Sequence, residues 1–270
     1  MNNTKPKKTK KTLRILPICF YGHKRTKLAV LCIQKLKEHL KMTGYTPRLI
    51  FGCCGTDESY IKAVQEAAGD WLYMTIPAKH FVSDKEEIHN ELNFAMNATL
   101  EEAFKMSPVV FRSEDDFILE RDLDIGPWCD LLMEDEMTAG VRLGQIQIDP
   151  KQVKPYRPDL GLDWIDYTRT ARYPINNQVF LVHKRLYDVV GWYSTAMSID
   201  EAEFSFGRRF RVKMNSFEEP DKCLKVLWPH GVPVELGDSP DRFFTHAGAS
   251  TLGHQYFTDA IPERFKEYQN

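Results

Sequence analysis

The chain has 270 residues, of which 43% are hydrophobic and 27% charged, with a formal net charge of −2. That length carries one large domain or two small ones with a substantial core. A near-neutral balance excludes a chain that binds polyanions over its whole surface. No stretch reaches about 18 apolar residues, so no membrane span is expected.

The six cysteines (Cys19, Cys32, Cys53, Cys54, Cys129 and Cys223) form no CxxC pair and no zinc-type spacing. They read as buried reduced thiols of a cytoplasmic protein. Basic residues followed by "LRILPICFYG" mimic a signal peptide. The apolar part is short, is broken by Pro17 and lacks a small-residue cleavage site, so no secretory leader is expected. Residues 1–12, "MNNTKPKKTKKT", are lysine-rich and read as a disordered tail. Such a tail is either a solubilising extension or an electrostatic hook for a polyanion.

Residues 13–21 read as a first buried strand. In "KRTKLAVLCIQKLKEHLKM", 24–42, Leu28, Leu31, Cys32, Leu36 and Leu40 recur at helical spacing, and Gly44 ends the helix. "TPRLIFGCC" is a second strand, followed by the turn "GTDES", a helix over 58–68 and a third strand over 71–76. A long helix over 84–106 opens on Ser83 and Asp84, with Glu86 and Glu87 in its first turn. Residues 108–112 form a fourth strand that ends on Glu114, Asp115 and Asp116. Strand–helix alternation over the first half argues for an α/β fold with a mostly parallel sheet and helices on both faces. In such sheets ligands bind beyond the carboxyl ends of the strands. "FYGHKR", "CGTDES" and the acidic triplet all lie at such ends, which implies one site.

The second half is less regular. "TAGVRLGQIQI", 138–148, reads as a strand pair, and 150–175 as an ordered loop region rich in Pro, Tyr, Trp and Arg. Then come a strand in "NQVFLVHK", a short helix over 183–191, a helix in "SIDEAEFSFGRRF", an extended segment ending in "WPH", and a mixed tail over 240–270. With no repeat and no linker, 13–270 reads as a single domain.

Three successive acids repel one another, and two readings of them stay open. They are solvated turn residues that cap the next element, or they are a metal site. On an extended segment Glu114 and Asp116 would point the same way, with Asp115 turned aside. Hard oxygen ligands suit magnesium or manganese, with positions left for substrate phosphates.

Ser113-Glu114-Asp115-Asp116 resembles the Asp-x-Asp-like motif of GT-A-fold glycosyltransferases, and the order of the other segments is similar to the family 2-type enzymes. "LPICFYGHKRTKLAVLCIQKL" resembles the family opening, which implies that Tyr21 and Arg25 lie by the nucleotide and its diphosphate; His23 or Lys24 are alternatives for the arginine's part. Where the family reads "DDGSTD", this chain has Cys53-Cys54-Gly55-Thr56-Asp57, so Asp57 matches and the base-binding acidic pair is lost. "NFAMNATLEEAF" is similar to the family's "aRNaGl..A": Asn97 matches and Met96 replaces the arginine. Asn90, Asn93 and Asn97 share one helical face, either solvated or turned to nucleotide or sugar hydroxyls. "YDVVGWYSTAMSIDEAEFSFGRRF" resembles the segment that supplies the catalytic base. There Asp200 and Glu201 match the acidic pair, Glu203 the second acid, and Arg208 or Arg209 the following base; a plain acidic helix start is the alternative. "FFTHAGAS" resembles the histidine segment that completes the metal site, which selects His246 over His230 and His254.

The resemblance implies a GT-A nucleotide-diphospho-sugar transferase fold, a UDP-sugar or other nucleotide-sugar donor, and Mn2+ or Mg2+ held by Glu114, Asp116 and His246. It implies Tyr21, Arg25, Asp57, Asn97, Asp115 and Arg208 beside the nucleotide-sugar. Glu201, then Asp200, is the expected base, with inversion at the anomeric carbon. Compact, anchor-free enzymes of this kind occur in bacteriophages that glycosylate hydroxymethylated pyrimidines of their DNA. The lysine tail and the run from Arg208 to Lys213 fit that acceptor. A cell-surface or capsule saccharide is the other acceptor class. A metal-dependent nucleotidyltransferase and a non-catalytic nucleotide-sugar-binding protein are the readings from other classes.

Overall fold

The computed structural model describes residues 13–22, 25–53, 57–77, 85–144, 153–165, 179–195, 199–216, 223–230, 243–247 and 265, with backbone alone for 85–92, 165, 199–201 and 246. The lysine-rich segment 1–12, His23, Lys24, Cys54 and His254 lie outside the described residues.

The first half runs β1 (Arg14–Gly22), α1 (Thr26–His39), β2 (Leu40–Lys41), β3 (Tyr45–Cys53), α2 (Glu58–Ala68), β4 (Leu72–Pro77), α3 (Lys85–Met106) and β5 (Val109–Glu114). Beyond it come β6 (Phe117–Leu119), β7 (Leu123–Asp124), α4 (Gly126–Glu134), β8 (Thr138–Arg142), β9 (Val153–Arg157) and β10 (Leu162–Ile165). The chain continues through β11 (Phe180–His183), α5 (Arg185–Val190), α6 (Ile199–Asn215), β12 (Lys225–Pro229) and β13 (Phe244–His246). Nine strands form one sheet in the order β4-β3-β1-β5-β11-β8-β12-β10-β9. Seven of them run the same way, and β11 and β10 are reversed.

β1 lies at the centre of the parallel half because its run from Leu16 to Gly22 is buried on both faces. Its register with β5, Cys19 opposite Arg112 and Tyr21 opposite Glu114, puts those four residues on one face of the sheet. α3 covers that face, where the Cys19 thiol donates to the Thr99 carbonyl at 3.6 Å. Burial pushes that thiol up to about 12. The other face carries Phe20 and Phe51, whose rings lie 6.2 Å apart. Phe51 meets Tyr60 of α2 edge-on at 5.7 Å.

The alternating first half follows the sequence expectation closely. Three parts of the second half do not. Residues 153–165, expected as a loop, form the antiparallel hairpin β9–β10, turned at Gly161 with φ +63°. Trp164 fixes this edge, with the Lys154 and Lys225 ammonium groups 5.1 and 5.3 Å from its ring centre. Of the strand pair expected over 138–148, β8 is a single strand between β11 and β12, and 145–148 lie outside the described residues. α4 and the two small sheets, β13–β6 and β2–β7, were not foreseen. Their strands are two or three residues long and pair across distant segments, so local pattern carries no signal for them.

Gly52, opposite Tyr21 in β3, lies close beneath α3. A Cβ there would sit 2.9 Å from Thr99 Cγ2 and 3.1 Å from Tyr21 Cδ1. Gly52→Ala is therefore expected to lower unfolding stability by about 1–3 kcal/mol through overpacking. Urea denaturation checks this, and an unchanged midpoint would contradict close packing of α3 on β3.

Candidate active site at the carboxyl end of the sheet

β5 ends at Glu114, and Asp115 and Asp116 turn the chain into β6. The Asp115 amide still donates to the Tyr21 carbonyl at 2.9 Å, which extends the β1–β5 ladder into the turn. The extended spacing expected for Glu114 and Asp116 therefore breaks at Asp115. Arg25, the residue before α1, reaches both aspartates. One guanidinium nitrogen donates to Asp116 Oδ2 at 2.6 Å and the other to Asp115 Oδ1. Burial works against the Arg25 charge, but Asp115 and Asp116 outweigh it and hold the group protonated. The repulsion that singles out this stretch of sequence is relieved by a guanidinium.

Asp115 is wholly buried and belongs to the scaffold. Its Oδ2 accepts from the Tyr60 hydroxyl at 3.2 Å, and its carbonyl from the Cys32 thiol at 3.4 Å. Burial, then the Asp115 charge, raises the Tyr60 hydroxyl well above its ordinary value, so it remains a donor. Gly22 is required beside this group, because a Cβ would stand 2.1 Å from the Tyr60 hydroxyl and 2.5 Å from Asp115 Oδ2.

Glu114 lies on the other face of β5, with Arg112. Arg112 is 1% exposed and donates to the Tyr187 and Tyr193 hydroxyls at 2.9 and 3.2 Å. Burial, then the charges of Asp116 and Glu203, pushes the Glu114 carboxyl well above the usual carboxylate range. Arg112 and Arg25 act in the opposite direction. The charge of Glu203 of α6 thus reaches Glu114, whereas the sequence reading placed the base at Glu201 or Asp200 and matched Glu203 only to the second acid. Glu201 and Asp200 begin the same helix, and their side chains lie outside the described residues.

The other expected site residues divide. Tyr21 is 1% exposed and packs inside, with Arg112 5.8 Å from its ring centre, so it offers no surface to a nucleotide. Asp57 caps α2, its Oδ1 accepting from the Ser59 and Tyr60 amides at 3.0 and 3.2 Å. Asn97 spends both ends of its amide on the backbone of Tyr193, donating to the carbonyl at 2.8 Å and accepting from the amide at 3.3 Å. Its observed role is to clamp α3 to the segment after α5. Arg208 is exposed on α6, whereas Arg209 turns inward and donates to the Val190 and Trp192 carbonyls at 2.6 and 2.7 Å.

The backbone of His246 stands opposite Phe117 in the β13–β6 pair, and the Ala247 amide donates to the Asp116 carbonyl at 2.7 Å. His230 instead lies 3.0 Å from Asp163. Among the described residues no group of three or more His, Cys, Asp and Glu side chains is positioned to hold a metal ion. Among the described residues no helix is long and apolar enough to cross a membrane.

No protein-family model matches the chain, and no curated protein sequence matches it. Among solved structures, S. aureus TarS superposes with a TM-score of 0.52 at 9% identity, covering 86% of this chain and 36% of that one. The mannosyltransferase PcManGT from Pyrobaculum calidifontis, in complex with GDP-Man and Mn2+, gives 0.47 at 13% identity over 82% of this chain and 58% of its own. A TarS 1–349 structure in complex with UDP gives 0.49 at 9% identity over 80% and 60%. The chain spans less than two thirds of each of these structures. The likeness to TarS is one of fold, and that fold is the GT-A type, with its large, mostly parallel sheet flanked by helices.

The Arg25 bridge is testable as a structural element. Arg25→Met leaves Asp115 and Asp116 buried without their guanidinium, and a loss of about 3–5 kcal/mol is expected, as for a broken buried ion pair. Calorimetric melting checks this, and a loss no larger than for an exposed pair such as Lys105–Glu102 would contradict it.

Proposed function

We propose that this chain transfers a sugar from a nucleotide diphospho-sugar, a UDP-sugar or a close relative, to an acceptor hydroxyl. The observation that carries this reading is convergence on the acidic turn. Glu114 and Asp116, the charge of Glu203 from α6, Arg25 from α1 and the backbone of His246 meet at the carboxyl end of a GT-A-type sheet. A nucleotidyltransferase reading has no comparable support.

The donor set fits a divalent ion. Carboxylate oxygens are hard ligands suited to magnesium or manganese. Burial, then the charges of Asp116 and Glu203, raises Glu114, and a bound cation would favour its charged form. Glu114, Asp116 and His246 would hold the ion, which when bound stabilises charge on the departing diphosphate. Arg25 is a positioning residue that fixes the two aspartates. Glu203 is the base we favour for the acceptor hydroxyl, with Glu201 and Asp200 in the preceding turn as the alternatives. Direct attack of that hydroxyl inverts the anomeric carbon. A hydroxymethylated pyrimidine of DNA is the acceptor class that the basic residues of α6 favour.

Asp116→Ala is expected to abolish manganese-dependent release of nucleoside diphosphate from a UDP-sugar. Glu203→Gln is expected to lower turnover by about 10²–10⁴-fold, the usual worth of a general base, with donor affinity by calorimetry unchanged. Full turnover in both variants would sink the assignment; loss in Glu201→Gln but not in Glu203→Gln would move the base to Glu201.

The raised Glu114 carboxyl gives a pH signature. Its folded-state value lies above the ordinary 4.5, so its contribution to stability is fully present below about that pH and is lost as the pH rises through the folded value. Melting temperature should therefore fall more steeply with rising pH in the metal-free wild type than in Glu114→Gln, and added Mn2+ should flatten the wild-type curve. Parallel curves for the two proteins would contradict a protonated Glu114.

A further inference from the structure

We propose that the outward face of α6 is a binding track for a nucleic-acid acceptor, held by its phosphates with a base stacked beside the site. Its role in supplying an acceptor rests on the sugar-transfer reading; the binding itself does not.

α6 is two-faced. Ala202, Phe206, Phe210 and Met214 recur at intervals of four and are buried. On the outer side Phe204, 51% exposed, Arg208, exposed, and Arg211, half-buried, follow at i, i+4 and i+7 on one face, with Val212, 58% exposed, at its margin; Lys213, exposed, stands off that face near the C-terminal end of the helix. The sequence has no acid between Glu203 and Glu218. Among the described residues Arg208, Arg211 and Lys213 make no ion pair. Several surface cations elsewhere are paired. Lys37 pairs with Asp70, Lys41 with Asp122, Lys105 with Glu102, Arg157 with Asp159 and Lys184 with Asp188. Arg209, the one cation of this run that turns inward, has both terminal nitrogens committed to carbonyls. Among the described residues this leaves positive charge without an acidic partner along the outer face and the C-terminal end of α6, on a chain of net charge −2.

Position gives this charge a direction. Glu203, whose charge reaches Glu114, lies at one end of it. At about 1.5 Å per residue the stretch from Glu203 to Lys213 is ~15 Å long. With roughly one phosphate per 3.4 Å of strand, that length spans about four phosphates. The aromatic ring comes at the site end, where Phe204 follows Glu203 directly. A base stacked on Phe204 would place its sugar and exocyclic groups next to the carboxylate. Cations with a neighbouring exposed ring match the recognition of single-stranded or locally opened nucleic acid. A phosphodiester-linked glycopolymer shares the phosphates but has no base to stack, so the ring favours nucleic acid.

The test is fluorescence anisotropy of a labelled single-stranded oligodeoxynucleotide with the full chain across a salt series. Wild-type affinity should fall as salt rises. Replacing Arg208, Arg211 and Lys213 together with Gln should reduce the slope of log K against log salt by about 2, at ~0.7 per phosphate contact. Arg208→Gln and Lys213→Gln singly should each remove about 0.7, which keeps the test available if the triple variant unfolds. Phe204→Ala should weaken binding several-fold and leave the slope unchanged. Lys62→Gln, Lys105→Gln and Lys184→Gln combined lose the same charge elsewhere and should keep wild-type binding. Salt-independent binding, or equal loss in that control, overturns the proposal. Tighter binding of a poly(glycerol phosphate) chain that depends on the same three cations overturns it as well, in favour of a glycopolymer. Release of free sugar from the donor, measured without acceptor, separates the two readings. No release with α6-dependent DNA binding overturns sugar transfer alone, and release without DNA binding overturns the track alone.

Discussion

The structure around the carboxyl end of the sheet depends on one guanidinium, that of Arg25, set between two buried aspartates. Two carboxylates in a low-dielectric turn are costly, and the cost is bearable only if each oxygen has a partner. Arg25 supplies two of those contacts, Tyr60 a third, and the turn's own backbone is tied to β1. Several otherwise unrelated positions then become constrained together. Gly22 has no room for a side chain, Cys32 must be small enough to sit beneath the turn, and α2 must start at Asp57 for Tyr60 to arrive. The acidic triplet is the centre of a network drawn from β1, α1, α2 and β5.

Strand alternation splits this short stretch between two chemistries. Ser113 and Asp115 face the helices α1 and α2, where charge is matched and closed off. Arg112 and Glu114 face α3 and α6, where Arg112 is surrounded by tyrosine hydroxyls and rings and Glu114 meets the charge of Glu203. One face stabilises the turn and the other leaves an acidic surplus.

The four strands of the sheet's parallel half and their helices were legible because buried parallel strands read as continuous apolar runs and the helices between them keep a strong 3.6-residue period. The acidic turn stood out in the sequence, since three successive acids between apolar runs repel one another. What escaped was everything decided by distant pairing. Nothing near Arg25 says that its partners are Asp115 and Asp116, and nothing near Asn97 says that both ends of its amide go to Tyr193. The hairpin over 153–165 was hidden by its Pro, Gly and aromatic content, which mimics a loop. Tyr21 looked like a ligand contact because it sits at a strand end, yet its register opposite Glu114 turns it under α3. Glu203 and Glu201 are equally acidic on paper; only the packing of α6 says that the charge of Glu203 reaches Glu114.

The pairing of β13 with β6 has a kinetic meaning as well as a geometric one. It joins the acidic turn to a strand more than a hundred residues later in the chain, and Ala247 closes the junction on Asp116 itself. Contacts of such long sequence separation form late, after local strand–helix units have assembled. During synthesis from the ribosome, the sheet's parallel half with its Arg25-bridged turn is available well before β13 emerges. The acidic-turn end of the molecule is therefore the last part to be finished, so a partly made chain carries the scaffold without that junction.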